Sequence, residues 1–170
     1  MRDTELTLIV EQIAGLLINN NQQLAVAESC TGGWVAKALT DLAGSSEWFE
    51  RGFVTYSNQA KHEMLGVSEA TLKTHGAVSQ ETVSEMAVGA LKNSHADFSL
   101  SISGLAGPGG ATQYKPVGLV WFCWATKEND HFNILAVESK IFVGDRDSVR
   151  YQAVEHVLTE LIKYIEASFG

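Results

Sequence analysis

The stretch "AESCTGGW", residues 27–34, sets a glutamate, two possible nucleophiles and a pair of glycines side by side after an apolar run. Ser29 or Cys30 can attack an electrophilic carbon, and Thr31 can support either. A serine hydroxyl is a weak nucleophile until a neighbouring base takes its proton. The usual base is histidine, yet His62, His75, His95, His131 and His156 fall in expected helices or loop tips and read as surface residues. Only His62 adjoins another candidate, Lys61. No His-x-x-x-His spacing or His/Asp cluster marks a metal site, so none is expected.

Lys61, in "TYSNQAK" (55–61), is the stronger base. With Asn58 as the helix cap it takes the third helical position, where a cation opposes the helix dipole by a few tenths to about 1 kcal/mol. That placement, with partial burial, favours the neutral amine, which can accept a serine proton. Tyr56 is placed to orient the amine or relay a proton. Arg146, in "GDRDS" (144–148), can clamp a phosphate or carboxylate through paired N–H groups. Each residue also has a plainer reading. Ser29 and Thr31 serve equally as helix caps, Lys61 as an exposed lysine, Tyr56 as a core aromatic, and Arg146 as the partner of Asp145 or Asp147. Cys30 should point away from Ser29 if one strand continues through both.

The elements that must position these residues alternate along the chain. Leu6, Ile9, Val10, Ile13, Leu16 and Leu17 recur at helical spacing over the first 21 residues. A short buried strand at 23–29 then meets Gly32 and Gly33, and "WVAKALTDLAG" reads as a helix running to Gly44. A strand follows at 48–57, then three capped helical pieces behind Asn58, Ser68 and Ser79. "FSLSISGLAGPGG" (98–110) alternates apolar and small polar residues before a glycine-rich loop. That loop lacks the spacing of either nucleotide fingerprint. "VGLVWFCWAT" (117–126) is apolar on both faces, as in a central strand covered on two sides, which assigns Cys123 to the core. Another strand spans 132–144 after a turn at 128–130, and Asp145 caps the last helix. The pattern predicts a three-layer α/β/α domain with a mixed, roughly five-stranded sheet, one antiparallel pair, and a single domain over 1–170. The turns "ESCTGG", "TYSNQAK", "SGLAGPGG" and "GDRDS" are expected around one pocket, where strand carboxyl ends meet helix N-termini.

Composition narrows the function classes. Twenty acidic against 12 basic side chains give a net charge of -8, which argues against generic nucleic-acid binding. Two cysteines without C-x-x-C spacing argue against a disulfide framework or structural zinc and suit a reducing cytoplasm. No run approaches the roughly 20 apolar residues of a membrane span, and the first helix lacks the features of a signal peptide.

The blocks "AESCTGGWVAKALTDLAGSS", "WFERGFVTYSNQAK", "GAVSQETVSEMAVGAL", "SISGLAGPGG", "KPVGLVWF" and "GDRDSVR", in this order, resemble the CinA C-terminal domain family, and within it the stand-alone nicotinamide-nucleotide amidases. The resemblance covers nearly the whole chain. It implies hydrolysis of the carboxamide of nicotinamide mononucleotide to nicotinic acid mononucleotide and ammonia, in recycling towards NAD. It further implies a homodimer and no metal or organic cofactor. The Ser/Lys chemistry it implies falls on Ser29 as nucleophile and Lys61 as base, with Tyr56 assisting. Backbone amides near Thr31, Gly32 and Gly33, or near Ser103 and Gly104, would hold the oxyanion. Asn58, Gly107 and Arg146 complete the expected substrate contacts, with the phosphate against the 107–112 loop or Arg146. Two alternatives stand beside this reading: a nucleotide-binding or regulatory module without turnover, and an amidase with Cys30 as nucleophile.

Overall fold

The computed structural model describes residues 1–170. In chain order the elements are α1 (Arg2–Asn19), β1 (Leu24–Glu28), α2 (Trp34–Thr40), β2 (Phe49–Val54), α3 (Asn58–Leu65), α4 (Glu69–His75), α5 (Gln80–Lys92), β3 (Phe98–Gly104), β4 (Leu119–Glu128), β5 (His131–Ile141) and α6 (Arg146–Phe169). The sheet order is β2-β1-β3-β4-β5. β1 runs parallel to β2 and β3, while β4 is antiparallel to both β3 and β5.

The five-stranded mixed sheet therefore has two antiparallel pairings where the sequence suggested one. The expected pair is the β4–β5 hairpin, turned by Asn129 and Asp130 at φ 49 and 64, the left-handed geometry that two-residue hairpins favour. The other arises because the segment after β3 returns without a helix, and only an intervening crossover permits parallel pairing.

Two layers of helices cover the sheet. Leu24, Val26, Phe98, Leu100, Ile102, Phe122 and Trp124 face α1, α2 and α6 in the larger core. Ala25, Ala27, Cys123 and Ala125 face α5 and the end of α3 in the smaller one. The small residues on this second face let α5 lie close, and the Ser99 and Ser101 hydroxyls donate to its Ala87 and Val83 carbonyls at 2.8 and 2.6 Å. α5 in turn admits α3: a Cβ on Gly89 would stand 2.0 Å from the Leu65 carbonyl oxygen. Without that glycine, α3 could not sit where it brings Lys61 to the sheet.

Three local expectations are corrected. α2 stops at Thr40, and a 3-10 turn at Ser45–Glu47 takes up the residues beyond it. Ser57, not Asn58, caps α3, its hydroxyl accepting from the Ala60 amide at 3.0 Å, so Lys61 is the fourth helical residue. Both types cap well, and only the point where β2 ends, at Val54, decides between them. His156 is not a surface residue like the other four histidines. It is half-buried against Phe122 and Trp124 and bonded to Glu138.

Candidate active site

Strand periodicity aims the side chains. Successive residues point to opposite faces, so the alternation that puts Ala25 and Ala27 towards α5 carries on to Ser29, and that of Leu24 and Val26 carries on to Glu28. Ser29 directly follows β1, between the lines of two parallel neighbours: its amide donates to the Ile102 carbonyl at 3.0 Å, and the Glu28 carbonyl accepts from the Thr55 amide at 2.8 Å. The same alternation on β3 puts Ser103 on the Ser29 side of the sheet.

Lys61 comes down onto this edge from α3. It is 1% exposed, and its Nζ lies 2.9 Å from the Ser29 Oγ. The same nitrogen donates to the Thr55 carbonyl at 2.9 Å and the Tyr56 carbonyl at 3.3 Å. No carboxylate lies within ion-pairing distance. Burial without a counter-charge drops its pKa from 10.5 to about 8. A neutral amine has two N–H bonds and one lone pair; with the carbonyls taking the hydrogens, the lone pair is left for the serine proton. The sequence reading reached the lowered pKa through the helix dipole together with partial burial; in the fold desolvation is the leading cause.

Ser29, Tyr56, Lys61, Ser103, Gly104, Gly107 and Arg146 line one cleft of about 270 Å³. Arg146, the first residue of α6, pairs with neither Asp145 nor Asp147. Its two terminal nitrogens donate to the Gly107 carbonyl at 2.8 Å and the Tyr56 hydroxyl at 2.9 Å. Tyr56 thus touches Lys61 through its carbonyl while its exposed ring holds Arg146 at the rim. Thr31, Gly32 and Gly33 lie elsewhere, in a shallow hollow beside Trp34 and Arg150. Asn58 sits on the outer end of α3 with Gln59 and His62. Cys30 packs in the larger core, and burial pushes its thiol up to about 12, so it stays protonated and poorly nucleophilic. No three His, Cys, Asp or Glu side chains lie close enough together to hold a metal ion.

A buried hydroxyl bonded to an amine whose pKa is lowered to about 8, in a cleft rimmed by a guanidinium without an acidic partner, is suited to acyl transfer on a small anionic molecule. The CinA C-terminal domain pattern matches residues 6–165. The chain belongs to the CinA C-terminal domain family. Among CinA-domain relatives, the nicotinamide-nucleotide amidohydrolase PncC of Escherichia coli K12 is 53% identical over 161 residues, covering 95% of each chain. The CinA-like protein of Syntrophomonas wolfei is 45% identical over 158 residues, which span 93% of this chain but 37% of that longer protein. In three dimensions the CinA domain superposes on the competence/damage inducible protein CihA of Agrobacterium tumefaciens with a TM-score of 0.86 at 42% identity, covering 94% of both.

Two residues of this CinA domain that sequence reasoning passed over hold the turn after Ser29. Glu28 is fully buried; its carboxylate accepts from the Thr31 hydroxyl at 2.7 Å and from the Val35 and Ala36 amides at 2.9 and 3.0 Å. The Val35 and Ala36 amides at the start of α2 are therefore occupied by a residue of the chain itself and are not open to an anion. A glutamate seven residues before a helical amide has no local signal except its place at the end of an apolar strand. Glu28→Ala is expected to cost about 2–4 kcal/mol in denaturant unfolding, since three donors, two of them buried, lose their acceptor. The second residue is Arg150, whose guanidinium reaches the Cys30 and Thr31 carbonyls at 3.0 and 3.1 Å.

Proposed function

We propose that the chain hydrolyses the carboxamide of nicotinamide mononucleotide, giving nicotinic acid mononucleotide and ammonia and so returning the pyridine ring to NAD synthesis. One observation carries the mechanism: the 2.9 Å contact between a buried, acid-free Lys61 amine and the Ser29 hydroxyl. The likeness to the nicotinamide-nucleotide amidohydrolase of E. coli supports the substrate.

In the first half-reaction neutral Lys61 takes the Ser29 proton as Oγ bonds to the carboxamide carbon. The carbonyl electrons move to oxygen, where backbone amides beside the cleft meet the charge. The tetrahedral species collapses, the C–N bond breaks, and protonated Lys61 hands its proton to the departing nitrogen, which leaves as ammonia. A water molecule then repeats the sequence: Lys61 takes its proton, the oxygen adds to the acyl carbon, and Ser29 leaves with the proton returned by Lys61. Every proton passes through one amine, and nothing is oxidised or reduced.

Arg146 belongs to the phosphate end of the substrate in this reading. Arg146→Ala is expected to raise KM for nicotinamide mononucleotide by about 10- to 100-fold, the loss of a charge-assisted contact, while leaving kcat nearly unchanged. Nicotinamide riboside, which has no phosphate, should be turned over by both proteins with the same KM. An equal rise for the riboside would remove the phosphate from Arg146. The reading also carries a homodimer in the cytoplasm, and light scattering at twice the chain mass is the expected result for the first.

The deciding experiment is ammonia release from a panel of pyridine amides, with the wild-type chain beside Ser29→Ala. A wild-type protein that binds the nucleotide but releases no ammonia would make it a binding module instead.

A further inference from the structure

Arg150 sits on the second turn of α6, outside the cleft. Its guanidinium is half-buried, forms no ion pair, and lies 5.5 Å from the centre of the Trp34 ring. An arginine shielded from water ordinarily finds a carboxylate. This one takes two backbone carbonyls, Cys30 by Nε at 3.0 Å and Thr31 by Nη2 at 3.1 Å. Those carbonyls belong to the turn directly after Ser29.

The consequence runs through peptide planes. In a trans peptide the carbonyl and the next N–H point to opposite sides. Holding the Thr31 carbonyl therefore orients the Gly32 N–H of the same plane, which donates to the Ser29 carbonyl at 3.0 Å. Holding the Ser29 carbonyl in turn orients the Cys30 N–H of its own plane. Neither the Cys30 nor the Thr31 amide donates to another residue of the chain. Both follow the nucleophile, and Cys30 lines the cleft. Glycine at 32, with φ 60, lets the chain close this turn, and a Cβ there would meet the Arg150 guanidinium at 3.4 Å.

We infer that Arg150 is a positioning residue for the acyl-transfer step: through two linked peptide planes it fixes the Cys30 amide as a donor to the oxyanion formed when Ser29 attacks. The inference rests on the serine amidohydrolase reading above. Arg150 does not touch the substrate. It acts on charge that appears only in the transition state, so its loss lowers kcat and leaves substrate binding alone.

The test compares Arg150→Met and Arg150→Lys with the wild-type chain on nicotinamide mononucleotide. Arg150→Met is expected to lower kcat about 10- to 100-fold, with KM within about threefold and the midpoint of the pH profile unmoved, because Lys61 keeps its own contacts. A pyridine-3-boronate, which forms a tetrahedral adduct on a serine, should lose affinity in proportion to kcat. Nicotinic acid mononucleotide, the planar product, should bind as before. If Arg150→Met does not fold, Arg150→Lys decides: it keeps the charge and the stem over Trp34 but brings a single nitrogen to two carbonyls, and it should show the same split in milder form. Unchanged kcat, or a rise in KM alone, overturns the inference. Wild-type protein that is itself inactive on the nucleotide overturns the functional reading and this inference with it; active wild type beside an equally active Arg150 variant overturns this inference only.

Discussion

Replacing Ser29 by alanine should lower ammonia release from nicotinamide mononucleotide by at least about 10⁴-fold, because a covalent route loses its nucleophile outright. Cys30 is a poor substitute. The Cys30 thiol faces the core, and burial holds it near 12, so almost none is ionised at neutral pH. Cys30→Ala, which keeps the backbone amide, should cost far less activity than Ser29→Ala. Stability should barely change in the serine variant, since the Lys61 amine retains the Thr55 and Tyr56 carbonyls. The measurement is steady-state ammonia release with both variants at one pH, alongside thermal unfolding. Full turnover by folded Ser29→Ala protein would end the proposed mechanism.

Lys61→Met removes the proposed base and keeps the stem, and a fall in kcat of about 10³-fold or more is expected. The wild-type pH profile ties this to the amine. With a pKa of about 8, the neutral fraction, and with it kcat/KM, should rise roughly tenfold per pH unit below that value and level off above it. A midpoint near 10.5 would mean that Lys61 is not buried during the reaction. Stability supplies an independent readout with a definite sign. The folded pKa lies below the ordinary 10.5, so between about 8 and 10.5 the unfolded chain binds more protons than the folded one. Stability contributed by this group therefore rises with pH across that window. Below about 8 the folded chain carries the full cost of a buried ammonium; above 10.5 neither state is charged and the cost is gone. Lys61→Met should flatten that rise in denaturant titrations run at several pH values.

Ser29 and Lys61 were legible in the sequence because each carries a local signature, a hydroxyl at a strand-to-helix glycine pair and a lysine in the first turns of a capped helix. Ser103 was legible through simple alternation: Phe98, Leu100 and Ile102 fix one face of β3, so the serines must take the other. The placement of Thr31, Gly32 and Gly33 was not legible. A helix start looks open to an anion until a distant-looking carboxylate, here Glu28, is found occupying it. Arg150 was invisible for a similar reason. Its partners are carbonyls about 120 positions earlier, which every residue type possesses, so no pattern of side chains announces them.

By itself the sequence determined the periodic things: which segments are helices or strands, which faces are apolar, and that the turns after β1, β2 and β3 carry polar chemistry. Those follow from interactions between residues a few positions apart. Only the tertiary structure decided what the 2.9 Å Lys61–Ser29 contact depends on. The strand order sets Thr55 beside Ser29, Gly89 lets α3 close onto α5, and burial away from any acid lowers the amine's pKa. Desolvation is a property of everything packed around a group, and no window of sequence contains it.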